Sequence, residues 1–303
     1  MTLSDAAIDR LRAAALRPDL LGDRYELREL IGRGGMGSVF SARDLLLDRD
    51  VALKVANTVV GGAAAEATRL QIESRMLAAL EHPGIVPIHD AGRTADGRLF
   101  YAMKLVRGDT LTAHLSTVPD FARRLSIFER VVEAVAFAHA RGVVHRDLSP
   151  SNVMIGGFGE VLVLDWGVAQ RMHGSNTDAG MRIGTPGFMA PERARGDDGP
   201  ATPAADVFSL GAILSMMLRG IDAPKRLRAI AAKCQAANRS ARYADASGLA
   251  DDLARFQSGK AVTAYQDTFA DHAMAWLSRY GVFVALILSY LAMRAAVALL
   301  SGR

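Results

Sequence analysis

Apolar and polar residues alternate through Tyr25–Ile31, give way to a glycine run from Gly32 to Gly37, and alternate again through Ser38–Ala42. A two-residue period turns one face of each segment to a core and the other to water, so both read as strands joined by a hairpin. Asp50–Val55 repeats the pattern as a third strand. Residues 63–81 carry apolar side chains at helical spacing and end at His82-Pro83-Gly84, a helix-stopping sequence. Two more strands are expected at 85–91 and 98–106, the second leading to Gly108. From Leu111 the period is mostly helical, with helices expected over 121–141, 203–219 and 225–237. The pattern describes a small strand-rich lobe followed by a larger helix-rich one, an α+β arrangement whose interlobe cleft is a natural ligand site.

The two ends differ from this body. Met1–Leu21 mixes alternating charges with Ala and Leu at helical spacing, which predicts a short amphipathic helix rather than a signal peptide. Gly281–Met293 is uncharged and apolar, and after Arg294 the apolar run continues through Ala295–Leu300. Taken as one segment, 281–300 is long enough to cross a hydrocarbon core of roughly 30 Å at about 1.5 Å per residue. Arg294 would cost about 2.5–3.5 kcal/mol at a helix centre, and less where it can snorkel toward an end. Trp276, Arg279 and Tyr280 stand where interfacial anchors belong. A transmembrane helix is the expectation, with a buried or partner-binding helix as the competing reading.

Composition narrows the class. The chain has 303 residues, 50% hydrophobic and 22% charged, which supports a substantial core and excludes a disordered protein. A formal charge of +4 permits an anionic ligand or surface without demanding one, and no Lys/Arg run points to nucleic acid. Cys234 is the one cysteine, so no intrachain disulfide forms and a reducing compartment fits. No Cys/His grouping suggests a structural metal.

The glycines Gly32, Gly34, Gly35 and Gly37 follow a strand and precede another. A dinucleotide fingerprint requires a helix directly after the glycines, and a Walker loop requires Gly-Lys-Ser/Thr; neither is present. A hairpin folding over phosphates and an ordinary Gly-rich turn both fit the glycines alone. Lys54, inside the apolar strand Val51–Val55, favours the phosphate reading over a solvated edge charge. Its carboxylate partner is expected on the next helix, where Glu66, Glu73 and Glu81 are available. Glu73 is chosen, since the others lie about two turns away and Glu81 abuts the helix end. Further on, Asp147, Asn152 and Asp165 can set three oxygen ligands around one metal–phosphate centre.

Taken in order, Gly32–Val39, Lys54, Glu73, His145–Asn152, Asp165-Trp166-Gly167, Ala190-Pro191-Glu192, Asp206 and Arg242 resemble the bacterial eukaryotic-like (Hanks-type) serine/threonine protein kinases over about residues 24–258. The resemblance implies a two-lobed kinase fold, with an N-lobe over 24–106 and a C-lobe over 107–258. A helical extension at 1–23, a juxtamembrane segment at 259–280 and a transmembrane helix at 281–300 complete the expected organisation. The run Gly157–Gly167, with Trp166 replacing the usual Phe, looks like a subgroup that often carries a membrane helix after the kinase domain. The implied cofactors are ATP and Mg²⁺. Asp147 would be the catalytic base, Asn152 and Asp165 the metal ligands, and Lys54 with Glu73 the pair that fixes the nucleotide. The implied ATP-binding residues are Ile31, Gly32, Arg33, Gly34, Gly35, Met36, Gly37, Ser38, Val39, Ala52, Lys54, Met103, Leu105 and Met154. Val39, Ala52 and Met154 would sandwich the adenine, with Met103 as gatekeeper and Lys104–Val106 as hinge. His145 and Trp166 would stack in a spine, Asp206 would hold the catalytic loop, and Glu192 would pair with Arg242. Arg146 implies control by phosphorylation of the 165–192 loop, where Thr177 and Thr185 are the candidate phosphosites.

Two departures stand out. Ser149 occupies the position where the family carries a lysine that contacts the transferred phosphate, and no lysine or arginine nearby in the chain obviously replaces it. Only Arg219–Ala229 lies where the family has a further helix and its loops. The expected function is a membrane-tethered serine/threonine kinase acting on protein hydroxyls and on its own loop, with a homodimer allowing phosphorylation in trans. The alternative is a nucleotide-binding pseudokinase scaffold. The expected location is the cell (inner) membrane, single-pass, with the ATP-using domain in the cytoplasm.

Overall fold

The computed structural model describes residues 24–34, 37–56, 64–117, 120–166, 169–171, 185–196, 202–266, 268, 280–281, 283–287 and 289–294. The N-terminal lobe is built on five antiparallel strands: β1 (Tyr25–Gly34), β2 (Gly37–Asp44), β3 (Arg49–Val55), β4 (Ile88–Arg93) and β5 (Leu99–Lys104). Their spatial order is β1-β2-β3-β5-β4. The β1–β2 register closes at Gly34 opposite Gly37. One face of the sheet buries Phe40, Val51, Leu53, Val55 and Ala102 together with Tyr25. Helix α1 (Ala64–Ala78) packs near β4 and β5. It joins the second core through Met76 and Leu77.

The C-terminal lobe is helical: α2 (Leu111–Thr117), α3 (Phe121–Ala140), α4 (Pro191–Ala194), α5 (Pro203–Met217), α6 (Lys225–Cys234) and α7 (Ala246–Gln257). Asp120 caps α3 by accepting from the amides of Ala122 and Arg123, each at 3.2 Å. Capping by an acidic side chain satisfies orphan donors at the helix start and suits its dipole. The buried stripe Phe128, Val131, Val132 and Val135 of α3 meets Leu210, Ile213 and Leu214 of α5 in one core. Between α5 and α6 a Cβ on Gly211 would sit 2.4 Å from the Cβ of Cys234, so only glycine permits this close approach. Short strands β6 (Gly108–Thr110), β8 (Val153–Gly156) and β9 (Val161–Val163) form a three-stranded ribbon, while β7 (Val143–Val144) pairs with β10 (Gln170–Arg171).

The expected elements are present with shifted ends. The strand expected at 85–91 begins at Ile88, because Pro87 lacks an amide for the ladder; Ile85 makes an isolated bridge to Val163 instead. The helices expected at 63–81, 203–219 and 225–237 occupy 64–78, 203–217 and 225–234. The packed body runs on past the expected boundary at 258: Val262 is buried, and Ala264 and Tyr265 pack against the core. Residues 280–281, 283–287 and 289–294 are helical. Among the described residues no helix is long and apolar enough to cross a membrane. The Met1–Leu21 segment, Gly35, Met36, Thr177 and residues 295–300 lie outside the described residues.

Candidate active site

A cavity of about 670 Å³ separates the lobes. Its roof comes from β1–β3 through Ile31, Gly32, Val39 and Ala52, and its floor from Met154 on β8 and Leu164. Gly37 makes the roof tight, since a Cβ there would lie 2.6 Å from the carbonyl oxygen of Val55.

Lys54 reaches into this space from β3, where it lies opposite Tyr101 of β5. Its Nζ donates to both carboxylate oxygens of Glu73, at 2.9 and 3.2 Å, and to Oδ1 of Asp165 at 2.8 Å. The Tyr101 hydroxyl donates to Glu73 at 2.8 Å. Lys54 and Glu73 are 7% and 1% exposed, whereas Asp165 is 53% exposed and opens onto the cavity. Burial works against the Lys54 ammonium, but the acidic groups of Tyr101, Glu73 and Asp165 around it outweigh that and raise its pKa well above the ordinary value.

The loop after β7 is shaped by Asp206 of α5. This fully buried carboxylate accepts from the amides of His145 at 2.7 Å and Arg146 at 2.8 Å, and bonds His139 at 3.0 Å. Burial alone would raise its pKa, yet the His139 bond, the two nearby imidazoles and the Arg146 amide hold it below the usual carboxylate range. These bonds fix a backbone in which Arg146 takes φ 73°, and Asp165 takes φ 56° in its own loop; such left-handed conformations cost about 1–2 kcal/mol each in non-glycine residues. His145 donates from Nε2 to the Leu164 carbonyl at 3.0 Å and accepts the Asp147 amide on Nδ1 at 3.3 Å. Its ring lies 4.5 Å from that of Trp166.

Asp147 stands at the centre of the loop. Its Oδ1 accepts both the amide and the hydroxyl of Thr185, at 2.9 and 2.8 Å. Asn152 donates from Nδ2 to the Asp147 carbonyl at 2.8 Å and to Oδ2 at 3.3 Å. The Asn152 amide oxygen therefore remains an acceptor, beside the exposed Asp165 carboxylate. Two hard oxygen donors in one cavity suit a divalent cation that takes its other ligands from phosphate and water. Among the described residues no group of three or more His, Cys, Asp or Glu would hold a metal alone. Glu192 receives the Arg242 guanidinium in two parallel 2.8 Å bonds below the loop.

The protein kinase domain family matches residues 25–244 of the 303-residue chain. The chain belongs to this family. It is 32% identical over 294 residues to serine/threonine-protein kinase PknD of Chlamydia felis, covering 78% of this chain and 31% of that protein. Against PknA of Mycobacterium tuberculosis it is 40% identical over 200 residues, covering 64% and 46%. Against PknB of Mycolicibacterium smegmatis it is 35% identical over 280 residues, covering 80% and 44%. The chain thus spans less than half the length of these relatives.

In this kinase domain Ile31, Gly32, Arg33, Gly37, Val39, Ala52, Lys54, Met103, Leu105, Asp147, Asn152, Met154 and Asp165 line one cavity, as do the hinge residues Lys104 and Val106. Glu73 sits behind Lys54 rather than on the wall. Ser38 does not line the cavity: it is 2% exposed, and the alternation of β2 gives the wall to Val39. Val86, Tyr101, Ser151 and Leu164 line it without having been anticipated. Tyr101 was findable, because strand alternation places it on the same face as Met103.

Proposed function

We propose that the chain is a membrane-tethered serine/threonine protein kinase that moves the terminal phosphoryl group of ATP to protein hydroxyls, its own 165–192 loop included. The observation that carries this reading is the three-way junction of Lys54 with Glu73 and Asp165, in the cavity that also holds Asp147 and Asn152. Kinase chemistry needs those groups assembled together. The relatives, each a serine/threonine-protein kinase by name, support the serine/threonine class.

Each residue has a definite task. Val39, Ala52 and Met154 offer apolar surfaces for a purine ring, with the Lys104–Val106 backbone available for its polar edge. Lys54 neutralises phosphate oxygens, and Glu73, steadied by Tyr101, keeps it aimed. Asp147 receives the proton of the incoming hydroxyl while Asn152 restrains its carboxylate. A divalent cation such as Mg²⁺, held by Asn152 and Asp165, would neutralise the phosphates and fix their orientation.

The tether rests on the C-terminal helical residues. Phe283, Leu286, Ile287, Tyr290, Leu291 and Met293 are all more than half exposed, so the described part of this helix turns large apolar side chains outward. A helix apolar all round requires cover, and a bilayer matches the length of 281–300. We place the kinase domain on the cytoplasmic side, where ATP is, with a homodimer allowing one copy to phosphorylate the other. A chain that stays in the soluble fraction without detergent would remove the tether.

The second reading, a nucleotide-binding scaffold, is favoured by Ser149. That residue is fully buried with its hydroxyl on Ser151 at 2.8 Å, so position 149 delivers no cation. The experiment that separates the readings uses the full chain in detergent with labelled ATP and Mg²⁺, alongside Asp147→Asn. Label on the wild type alone is expected. A folded wild type that binds ATP but labels neither itself nor a Ser/Thr acceptor would replace the kinase by the scaffold.

A further inference from the structure

Three described cations line the cavity: Lys54, Lys104 and Arg33. Lys54 is engaged by Glu73 and Asp165. Lys104 faces Glu160 at 3.5 Å beside the hinge, remote in role from the phosphate end. Arg33 is different. It stands on β1 opposite Ser38, between Gly32 and Gly34, and its side chain is exposed. Among the described residues it has no ion pair and no side-chain hydrogen bond. It shares the wall with Asp147 and Asp165, yet neither holds it.

Position 149 presents the complementary deficit. Ser149 is absent from the cavity wall, and its hydroxyl is turned to Ser151. We infer that Arg33 supplies, from the glycine-rich turn above, the cation on the transferred phosphoryl group that position 149 does not supply from below. This inference rests on the kinase reading. In the transfer, the substrate hydroxyl oxygen bonds the terminal phosphorus of ATP. The bond from that phosphorus to the bridging oxygen breaks, and ADP leaves with the electron pair. The hydroxyl proton passes to Asp147. Arg33 contributes no atom; its guanidinium fork neutralises oxygens of the migrating group, a geometry suited to phosphate. The three donors of Lys54 are engaged by the two Glu73 oxygens and Asp165, which leaves none for that task.

The test compares the full chain in detergent as wild type, Arg33→Gln, Arg33→Lys, Ser149→Lys and the Arg33→Gln/Ser149→Lys double variant. Autophosphorylation and transfer to a Ser/Thr peptide are measured together with affinity for a fluorescent ATP analogue. Arg33→Gln is expected to lower kcat on the order of 10²-fold while analogue affinity changes less than about threefold. Arg33→Lys keeps most of the activity. Ser149→Lys restores much of the loss in the Arg33→Gln background and adds little to wild type, because only one cation is needed. The inference is overturned if Arg33→Gln leaves kcat unchanged, if its loss appears only in nucleotide affinity, or if the lysine at 149 acts equally in both backgrounds. Should Ser149→Lys not fold, the Gln and Lys variants at position 33 decide alone. If wild type itself binds ATP and transfers nothing, the kinase reading has failed, and that result is distinct from every outcome above.

Discussion

Asp206 shows how one buried carboxylate organises a site it does not enter. Its pKa is depressed on folding, so the stability it contributes is fully present above the ordinary carboxylate pKa of about 3.9 and is lost as pH falls through its lower folded value. Asp206→Asn keeps the shape but cannot serve two amides and a histidine with two acceptor oxygens. We expect urea unfolding at pH 7 to show a loss of about 2–4 kcal/mol, and the acid-side fall of stability to flatten in the variant. A second residue-scale prediction concerns Tyr101, fully buried with its hydroxyl on Glu73. Tyr101→Phe removes one of the bonds steadying the Lys54 partner, and steady-state kinetics should show kcat/KM for ATP falling about tenfold with the fold intact. Lys54, Glu73, Asp147, Asn152 and Asp165 were legible in sequence because their chemistry demands fixed residue types in a fixed order. The place of Tyr101 on the Met103 face was legible from alternation, but its role was not, since a tyrosine in an apolar strand looks like core until its hydroxyl's partner is seen.

At the scale of elements, the crossing of α5 and α6 depends on Gly211. Alanine there gains up to about 1 kcal/mol of helix propensity but forces its methyl against the Cys234 Cβ at 2.4 Å and the Ala231 carbonyl at 3.1 Å. Because a backbone oxygen cannot swing aside, overpacking dominates. Gly211→Ala should lower stability by a net 1–3 kcal/mol or so, read as a reduced urea midpoint and Tm. Long elements with clear periods, such as α3 and the β2–β3 hairpin, were readable from the pattern of side chains. The short strands β6, β8 and β9 span only three or four residues each, too few for a period to register, and are set by pairing across the chain. Pro87 marked the true start of β4, a backbone fact that the apolar run 85–91 concealed.

For the molecule as a whole, two lobes around a cleft followed directly from a strand-rich half and a helix-rich half. The end of the domain did not follow. Asp252 of α7, 1% exposed, accepts the Thr263 amide at 2.8 Å, the Thr263 hydroxyl at 2.7 Å, the Ala264 amide at 3.1 Å and the Tyr243 hydroxyl at 2.7 Å. Burial would raise this carboxyl's pKa, and the Thr263 amide, Tyr243 and Thr263 hydroxyls and Ala264 amide overturn that and lower it. A chain cut after residue 258 leaves Asp252 with only Tyr243 among those four donors. It should be less stable by about 3 kcal/mol or more than a chain cut after 266, measured by chemical unfolding of the two. Nothing in the polar, weakly periodic stretch 258–266 announced this, because its partners are provided by a helix turn away in space rather than by its own pattern. The clasp also has a geometric meaning. It holds the chain against the kinase body as far as Tyr265, so under the proposed anchoring residues 266–280 join that body to the membrane helix. However arranged, a connection of that length spans at most about 55 Å. The enzyme would then work within a thin shell along the bilayer, reaching partners that share the membrane or come to it and passing over the rest of the cytosol.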